Sequence, residues 1–370
     1  MRRRAGFLMI ASAVGTALTA TLSVQGQCDE PIDLGRGPIN YYVPDSYDPD
    51  VPAPLVVALH GYGSNGAELE AYLRFIPLAE EYGILYAYPD GTIDAGGSRF
   101  WNATDACCNF FGSDVDDSGY LRDLVDTIKG QCNVDPRRVY FMGHSNGGFM
   151  TYRMACDHAD TIAAIVSLAG AAFFDRNDCT PSEPVHVLQI HGTADAVIRY
   201  NGGNIGGILY PGAVGSVERW AEYDGCELIG DDDYPPLDLD AGISGAETTV
   251  TKYITDCRPG GSAELWSIVG GRHVPRISEH FSRHVIEYLL DHPKAGNCVR
   301  DPQWICDGDT DGDGQVNPVD AGLVQAAFGS TDEGDLCQYD VDCDGQINPV
   351  DAGIVQSLFG TCDAPRGACP

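Results

Sequence analysis

Positive charge is what this sequence has least of. Lysine and arginine together number 22 against 54 aspartates and glutamates, for a net charge of -32. That balance excludes a nucleic acid or an anionic membrane as the partner, because either requires a basic face. Beyond the N-terminal segment there is no apolar run long enough to cross a bilayer. No CxxC pair marks a zinc site, and no cysteine precedes Cys28. Gln25-Gly26-Gln27 before that cysteine is not a lipobox, so a lipid anchor there is excluded too.

The N-terminus reads as an export signal. Arg2, Arg3 and Arg4 precede a mostly apolar stretch from Phe7 to Val24, and Val24 and Gly26 sit at the small-residue positions of a cut after residue 26. A secreted, extracellular protein is expected. All 14 cysteines follow that cut, and an even count in an exported chain implies disulfides. Flanking positions suggest Cys156–Cys179 and Cys226–Cys257. Nine cysteines reach to Cys298 and five follow, so complete pairing needs a bridge between the two regions, with Cys298–Cys306 a candidate.

Residues 28–293 alternate short apolar runs with amphipathic stretches, the pattern of an α/β domain with a doubly wound, mostly parallel sheet. Strands are expected at Pro54–Leu59, Ile84–Tyr88, Arg138–Met142, Ile162–Leu168, Val185–Ile190 and Ala263–Val269. Helices are expected at Glu68–Glu81, Tyr120–Lys129, Gly147–His158, Gly215–Tyr223 and Ser278–Leu290, with an exposed loop over 230–247. A linker is drawn at 294–305 and a second, small domain at 306–363.

Gly143-His144-Ser145-Asn146-Gly147 is a GxSxG pattern between an expected strand and an expected helix. That context makes Ser145 a nucleophile on a sharp strand-to-helix turn, as in an α/β-hydrolase. In such a fold the acid and then the histidine follow in chain order. Asp195 lies just past the strand ending at Ile190, in His191-Gly192-Thr193-Ala194-Asp195; Asp175 and Asp178 are rivals after an earlier strand. His273 follows the last strand in Gly270-Gly271-Arg272-His273 and is the expected base. Backbone N–H groups of Asn146 and of Tyr62, with Gly61 as alternative, are the expected oxyanion donors. The side chains of His60, His144 and His191 are read as structural. Trp101 either lines an acyl pocket or simply packs.

The motifs YPDGT, RFWNATDACC, GHSNGG, HGTAD and GGxH, in this order, resemble the secreted polyhydroxybutyrate depolymerase and feruloyl esterase family over about 38–290. The resemblance implies a Ser145–His273–Asp195 triad acting on carboxylic esters, with no metal in catalysis. This chain departs from the family at Gly-Gly-Arg272-His273-Val-Pro, where a third glycine and a later tryptophan are common. The departure bears on substrate rather than chemistry.

Residues 314–329 and 345–360 share 12 of 16 positions, an internal duplication. Each copy completes an EF-hand-like spacing of oxygen donors with glycine at the sixth position. One loop offers Asp309, Asp311, Asp313, Gln315 (through its carbonyl), Asn317 and Asp320. The other offers Asp340, Asp342, Asp344, Gln346 (through its carbonyl), Asn348 and Asp351. Two structural calcium ions are expected. Aspartate at the twelfth position and one helix after each loop resemble type I dockerins, which implies a cohesin-like protein partner. Pro318-Val319 and Pro349-Val350 differ from the family's common recognition pair, so the partner's identity stays open.

The expected function is that of a secreted serine esterase removing feruloyl or acetyl groups from plant cell-wall polysaccharide, displayed through the C-terminal module. A polyhydroxybutyrate depolymerase is the alternative enzyme. An inactive hydrolase-fold binding module is the alternative of another class.

Overall fold

The computed structural model describes residues 28–295, 316–329 and 349–357. The expected export signal, Cys298 and most of both acidic loops lie outside the described residues.

In the first region, β1 (Tyr41–Tyr42) leads to β2 (Ala53–Leu59), α1 (Gly66–Leu73), α2 (Ile76–Tyr82) and β3 (Leu85–Ala87). A small ribbon, β4 (Thr92–Ile93) and β5 (Arg99–Phe100), precedes α3 (Asp117–Gln131), β6 (Val134–His144), α4 (Asn146–Asp157), β7 (Ala164–Leu168) and β8 (His186–Gly192). A second ribbon, β9 (Gly203–Ile205) and β10 (Ile208–Tyr210), is followed by α5 (Ala213–Tyr223), β11 (Thr248–Tyr253), β12 (Ala263–Ile268) and α6 (Phe281–Leu290). The eight-stranded sheet runs β1-β3-β2-β6-β7-β8-β12-β11. Its six inner strands are parallel, and β1 and β11 pair antiparallel at the two edges.

Parallel strands covered on both faces are apolar throughout. All seven residues of β2 are buried. Leu55, Val57 and Leu59 join the core under α3, α4 and α5, while Val56 and Ala58 join the core under α1, α2 and α6. The two clusters make a helix–sheet–helix sandwich. The chain passes from β2 outward to β3 on one side and later to β6 on the other. The carboxyl ends of β2 and β6 therefore flank a switch in strand order, where α/β sheets bind ligands.

The six expected strands form within a few residues of their expected bounds. Two expectations are corrected. The helix drawn over Glu68–Glu81 is two helices, because Arg74 turns left-handed at φ 56 and the Glu70 carboxylate accepts from the N–H groups of Phe75 and Ile76 to start α2. The strand β11 was not foreseen. Its alternating exposed and buried residues form a half-polar edge paired antiparallel with β12. The first region also extends past its expected boundary at 293: the Lys294 side chain is buried, donating to Ala159 O and lying 2.8 Å from Glu183.

Disulfides join Cys28–Cys132, Cys107–Cys108, Cys156–Cys179 and Cys226–Cys257. The two pairs suggested by flanking positions are among them. In the second region, α7 (Pro318–Ala326) and α8 (Pro349–Ser357) pack on one another. Asn317 caps α7 reciprocally with Asp320, whose carboxylate accepts from the Asn317 N–H at 2.8 Å.

Candidate active site

Ser145 stands between β6 and α4 with φ 56 and ψ -118, a conformation L-residues rarely adopt. The turn is possible because its neighbours lack side chains. A Cβ on Gly147 would lie 1.9 Å from Leu59 O, and one on Gly143 would lie 2.2 Å from Gly147 O. The Ser145 N–H is fixed by Leu168 O of the adjacent strand at 2.8 Å. A strained backbone held by such close packing lifts the hydroxyl off the sheet edge.

Two more loops converge on it. His273 Nε2 is 2.9 Å from Ser145 Oγ, and His273 Nδ1 is 2.7 Å from Asp195 Oδ2. The acid and base loops are pinned to each other. The Ala194 N–H donates to Gly271 O, and the Gly270 N–H donates to Thr193 Oγ1. The three residues expected as a triad are thus brought together in one hydrogen-bonded line. Asp175 instead accepts from Asn177 in an exposed turn; neither it nor Asp178 bonds His273.

Asp195 is held by more than His273. Its Oδ1 accepts from the N–H groups of Val197 and Ile198, and His191 Nε2 lies 3.3 Å from its Oδ2. Burial alone would raise this carboxyl, but the hydrogen bonds from His191 and His273 outweigh it and keep the group well below the usual carboxylate range. His191 is oriented in turn. Gln189 Nε2 donates to its Nδ1 at 2.9 Å, leaving Nε2–H to donate to Ile198 O at 2.8 Å. Tyr152 donates to Gln189 Oε1 at 2.9 Å. This buried relay was missed when His191 was read only as structural. The signal was a glutamine two residues before the histidine in an otherwise apolar strand.

The remaining histidines near Ser145 are neutral supports. Burial pushes His144 down to about 4, and its Nε2–H donates to the His273 carbonyl at 2.9 Å. Burial also lowers His60, whose Nε2 accepts from the Gly91 N–H while Nδ1–H donates to Gly61 O.

The first bond inside α4 runs from the Phe149 N–H to Ser145 O, so the Asn146 N–H has no intrahelical acceptor. The Asn146 side chain is buried and grips the Trp101 backbone from both sides. Its Oδ1 accepts from the Trp101 N–H at 2.7 Å, and its Nδ2 donates to Trp101 O at 2.9 Å. Trp101 is fully enclosed and donates from its indole to His60 O at 3.1 Å. Of its two readings, packing is therefore the one the geometry favours, because an enclosed ring has no face left for an acyl group. The Cys107–Cys108 pair packs beneath the same asparagine, with Cys107 Sγ 3.7 Å from Asn146 Nδ2. Tyr62 is partly exposed and donates its hydroxyl to Asp94 at 2.6 Å.

Among the described residues no group of three histidine, cysteine or acidic side chains could hold a metal. Of the expected calcium ligands, Asp320 lies buried in the first turn of α7. Asp351 falls within α8. Asp309, Asp311, Asp313, Gln315, Asp340, Asp342, Asp344 and Gln346 lie outside the described residues.

Comparison with known proteins bears out both resemblances. Residues 40–214, which include Ser145 and Asp195, match the family model described as esterase PHB depolymerase, and residues 307–359 match that of the dockerin type I domain. A feruloyl esterase B of Piromyces equi is 31% identical over 191 residues, covering 50% of this chain and 34% of that protein. A poly(3-hydroxyalkanoate) depolymerase C of Paucimonas lemoignei is 32% identical over 126 residues, covering 33% of this chain and 28% of that protein. The chain thus spans about a third of the length of these relatives. Among solved structures, an acetyl xylan esterase from Aspergillus awamori superposes with a TM-score of 0.49 at 17% identity, over 70% of this chain and 98% of that one.

Proposed function

We propose that the protein is an exported serine esterase that removes acyl groups, such as feruloyl or acetyl, from plant cell-wall polysaccharide. The observation that carries the reading is the line Ser145–His273–Asp195, at 2.9 and 2.7 Å. Ser145 Oγ attacks the ester carbonyl as His273 Nε2 takes its proton. His273 then returns the proton to the leaving alcohol, and Asp195 holds the ring and stabilises the imidazolium. The backbone N–H groups of Asn146 and Tyr62 would receive the developing oxyanion. Water cleaves the acyl-enzyme through the same histidine.

The polysaccharide assignment draws on the feruloyl esterase relatives and on the dockerin type I match. The depolymerase relative from Paucimonas supports a polyester substrate as the second reading. The connected triad argues against an inactive binding module. At the C-terminus, Asp309, Asp311, Asp313, Asn317 and Asp320, and their counterparts Asp340, Asp342, Asp344, Asn348 and Asp351, form hard all-oxygen donor sets suited to calcium. Gln315 and Gln346 would add backbone carbonyls. One ion per loop would be structural, ordering a surface for a cohesin-like partner.

The test is hydrolysis of methyl ferulate, acetylated xylan and polyhydroxybutyrate granules by the full chain and by Ser145→Ala. The account expects turnover of the plant esters and a loss of roughly 10⁴–10⁶ in kcat on substitution. Turnover of granules alone moves the substrate to polyester; undiminished turnover by Ser145→Ala overturns the mechanism.

A further inference from the structure

In so acidic a protein a cation readily finds a carboxylate. Nine basic side chains among the described residues do so: Arg36, Arg99, Arg122, Arg138, Arg153, Arg176, Lys252, Arg283 and Lys294. Four exposed arginines among those residues make no side-chain hydrogen bond or ion pair: Arg74, Arg199, Arg272 and Arg276. Their positions are not scattered. Arg272 immediately precedes the catalytic histidine, Arg276 follows it by three residues, and Arg199 lies four residues past Asp195. Arg74 and Arg276 line one cleft of about 710 Å³, together with Tyr72, Val274 and Pro275.

The cleft is lined by Val274 and Pro275, the two residues that follow His273. Tyr72 donates to Pro275 O at 2.8 Å, and its ring lies 6.0 Å from that of His144, which in turn lies 5.2 Å from His273. Three nearby carboxylates are already engaged: Glu70 caps α2, Asp240 Oδ1 accepts from the N–H groups of Gly242 and Arg276, and Glu81 pairs with Arg283. Glu279 lines the cleft as an exposed acid, against the two unpaired arginines Arg74 and Arg276. Arg74 also occupies a left-handed turn, with φ 56, that points to a position set by the α1–α2 break rather than by its own preference.

We infer that this cleft binds a carboxylated sugar, a uronate, of the polysaccharide whose ester Ser145 cleaves; the inference rests on the esterase reading above. A guanidinium presents a planar fork that matches a carboxylate. A dense polyanion is repelled by a net charge of -32, whereas a glycan carrying isolated carboxylates meets the local cations without that penalty.

The experiment separates binding from turnover. Calorimetry at low salt on the full-length Ser145→Ala protein compares xylotetraose carrying a single glucuronate with plain xylotetraose, and repeats both with Arg74→Gln and Arg276→Gln added. The uronate oligomer is expected to bind about ten-fold or more tighter than the neutral one, since each charge-assisted hydrogen bond is worth roughly that factor. The preference should vanish in the added double substitution and shrink at high salt. Because both arginines are exposed, melting temperatures should stay level, which excludes unfolding as the cause. Equal affinity for the two sugars, no binding of either, or a preference that survives the double substitution overturns the inference. Oligomers of 3-hydroxybutyrate with a free carboxyl end, if they compete as strongly as the uronate, also overturn it and assign the cleft to polyester termini. Uronate binding with no hydrolysis of any ester by the unsubstituted chain would instead refute the esterase reading alone.

Discussion

Gln189 is the residue whose substitution separates positioning from chemistry. It touches neither serine nor substrate, yet it fixes which nitrogen of His191 carries the proton and so which donor faces Asp195. Gln189→Leu leaves His191 Nδ1 without its donor and frees the ring. Kinetics should show kcat falling about ten-fold with KM little changed, the scale of one buried hydrogen bond. A matching rise in KM, or no change in kcat, would remove the relay from the account. The meeting of Ser145, His273 and Asp195 was legible in the sequence because GxSxG, HGTAD and GGRH each follow an apolar run. The relay was not, since Gln189 and His191 are ordinary residues of β8 whose partner Tyr152 sits on α4 and meets them only when that helix packs on the sheet. Trp101 shows the converse. Its aromatic ring invites a pocket reading, and only the enclosing contacts with His60 and Asn146 reveal a packing role.

The elements were legible where burial is complete and obscure where it is partial. A central parallel strand such as β2 has no polar residue to mislead. The edge strand β11 is half polar, so its pairing with β12 had no signature in the sequence. The break between α1 and α2 was similarly hidden, because Arg74 is not a residue that announces a left-handed turn; Pro77 shortly after it was the available hint. The β6–α4 turn gives the sharpest prediction at this scale. Gly147→Ala places a methyl against the Leu59 carbonyl, which is backbone and cannot step aside. Overpacking should cost about 1–3 kcal/mol in stability. Esterase activity should fall further than that loss of folded protein explains, as the displaced turn moves Ser145 from His273. Thermal melts and kcat measured on the same preparation check both parts; wild-type activity in the variant would show that the close approach is unnecessary.

At the scale of the whole molecule, the first region is tied from its beginning to its centre. Cys28–Cys132 closes 104 residues and anchors the chain's first described residue under the sheet. A loop that long carries about 4–5 kcal/mol in the chain-entropy account of cross-links. Reductant should therefore lower the melting temperature markedly, and thiol titration of the denatured, unreduced protein should find none of the eight paired cysteines reactive. Eight free thiols would contradict an oxidised, exported protein. Two of these bridges were suggested by flanking positions alone. The bridge to Cys28 and the pairing of adjacent Cys107 and Cys108 were not, because linear spacing carries no information on which loops meet in space.

The central claim, a nucleophilic Ser145 activated through His273, is tested most directly by labelling the full chain with a fluorophosphonate and mapping the adduct by peptide mass spectrometry. The account predicts a single adduct on Ser145 in the native protein, formed at a rate that collapses in His273→Ala. An adduct on another serine, or labelling of Ser145 that proceeds equally well without His273, would contradict it.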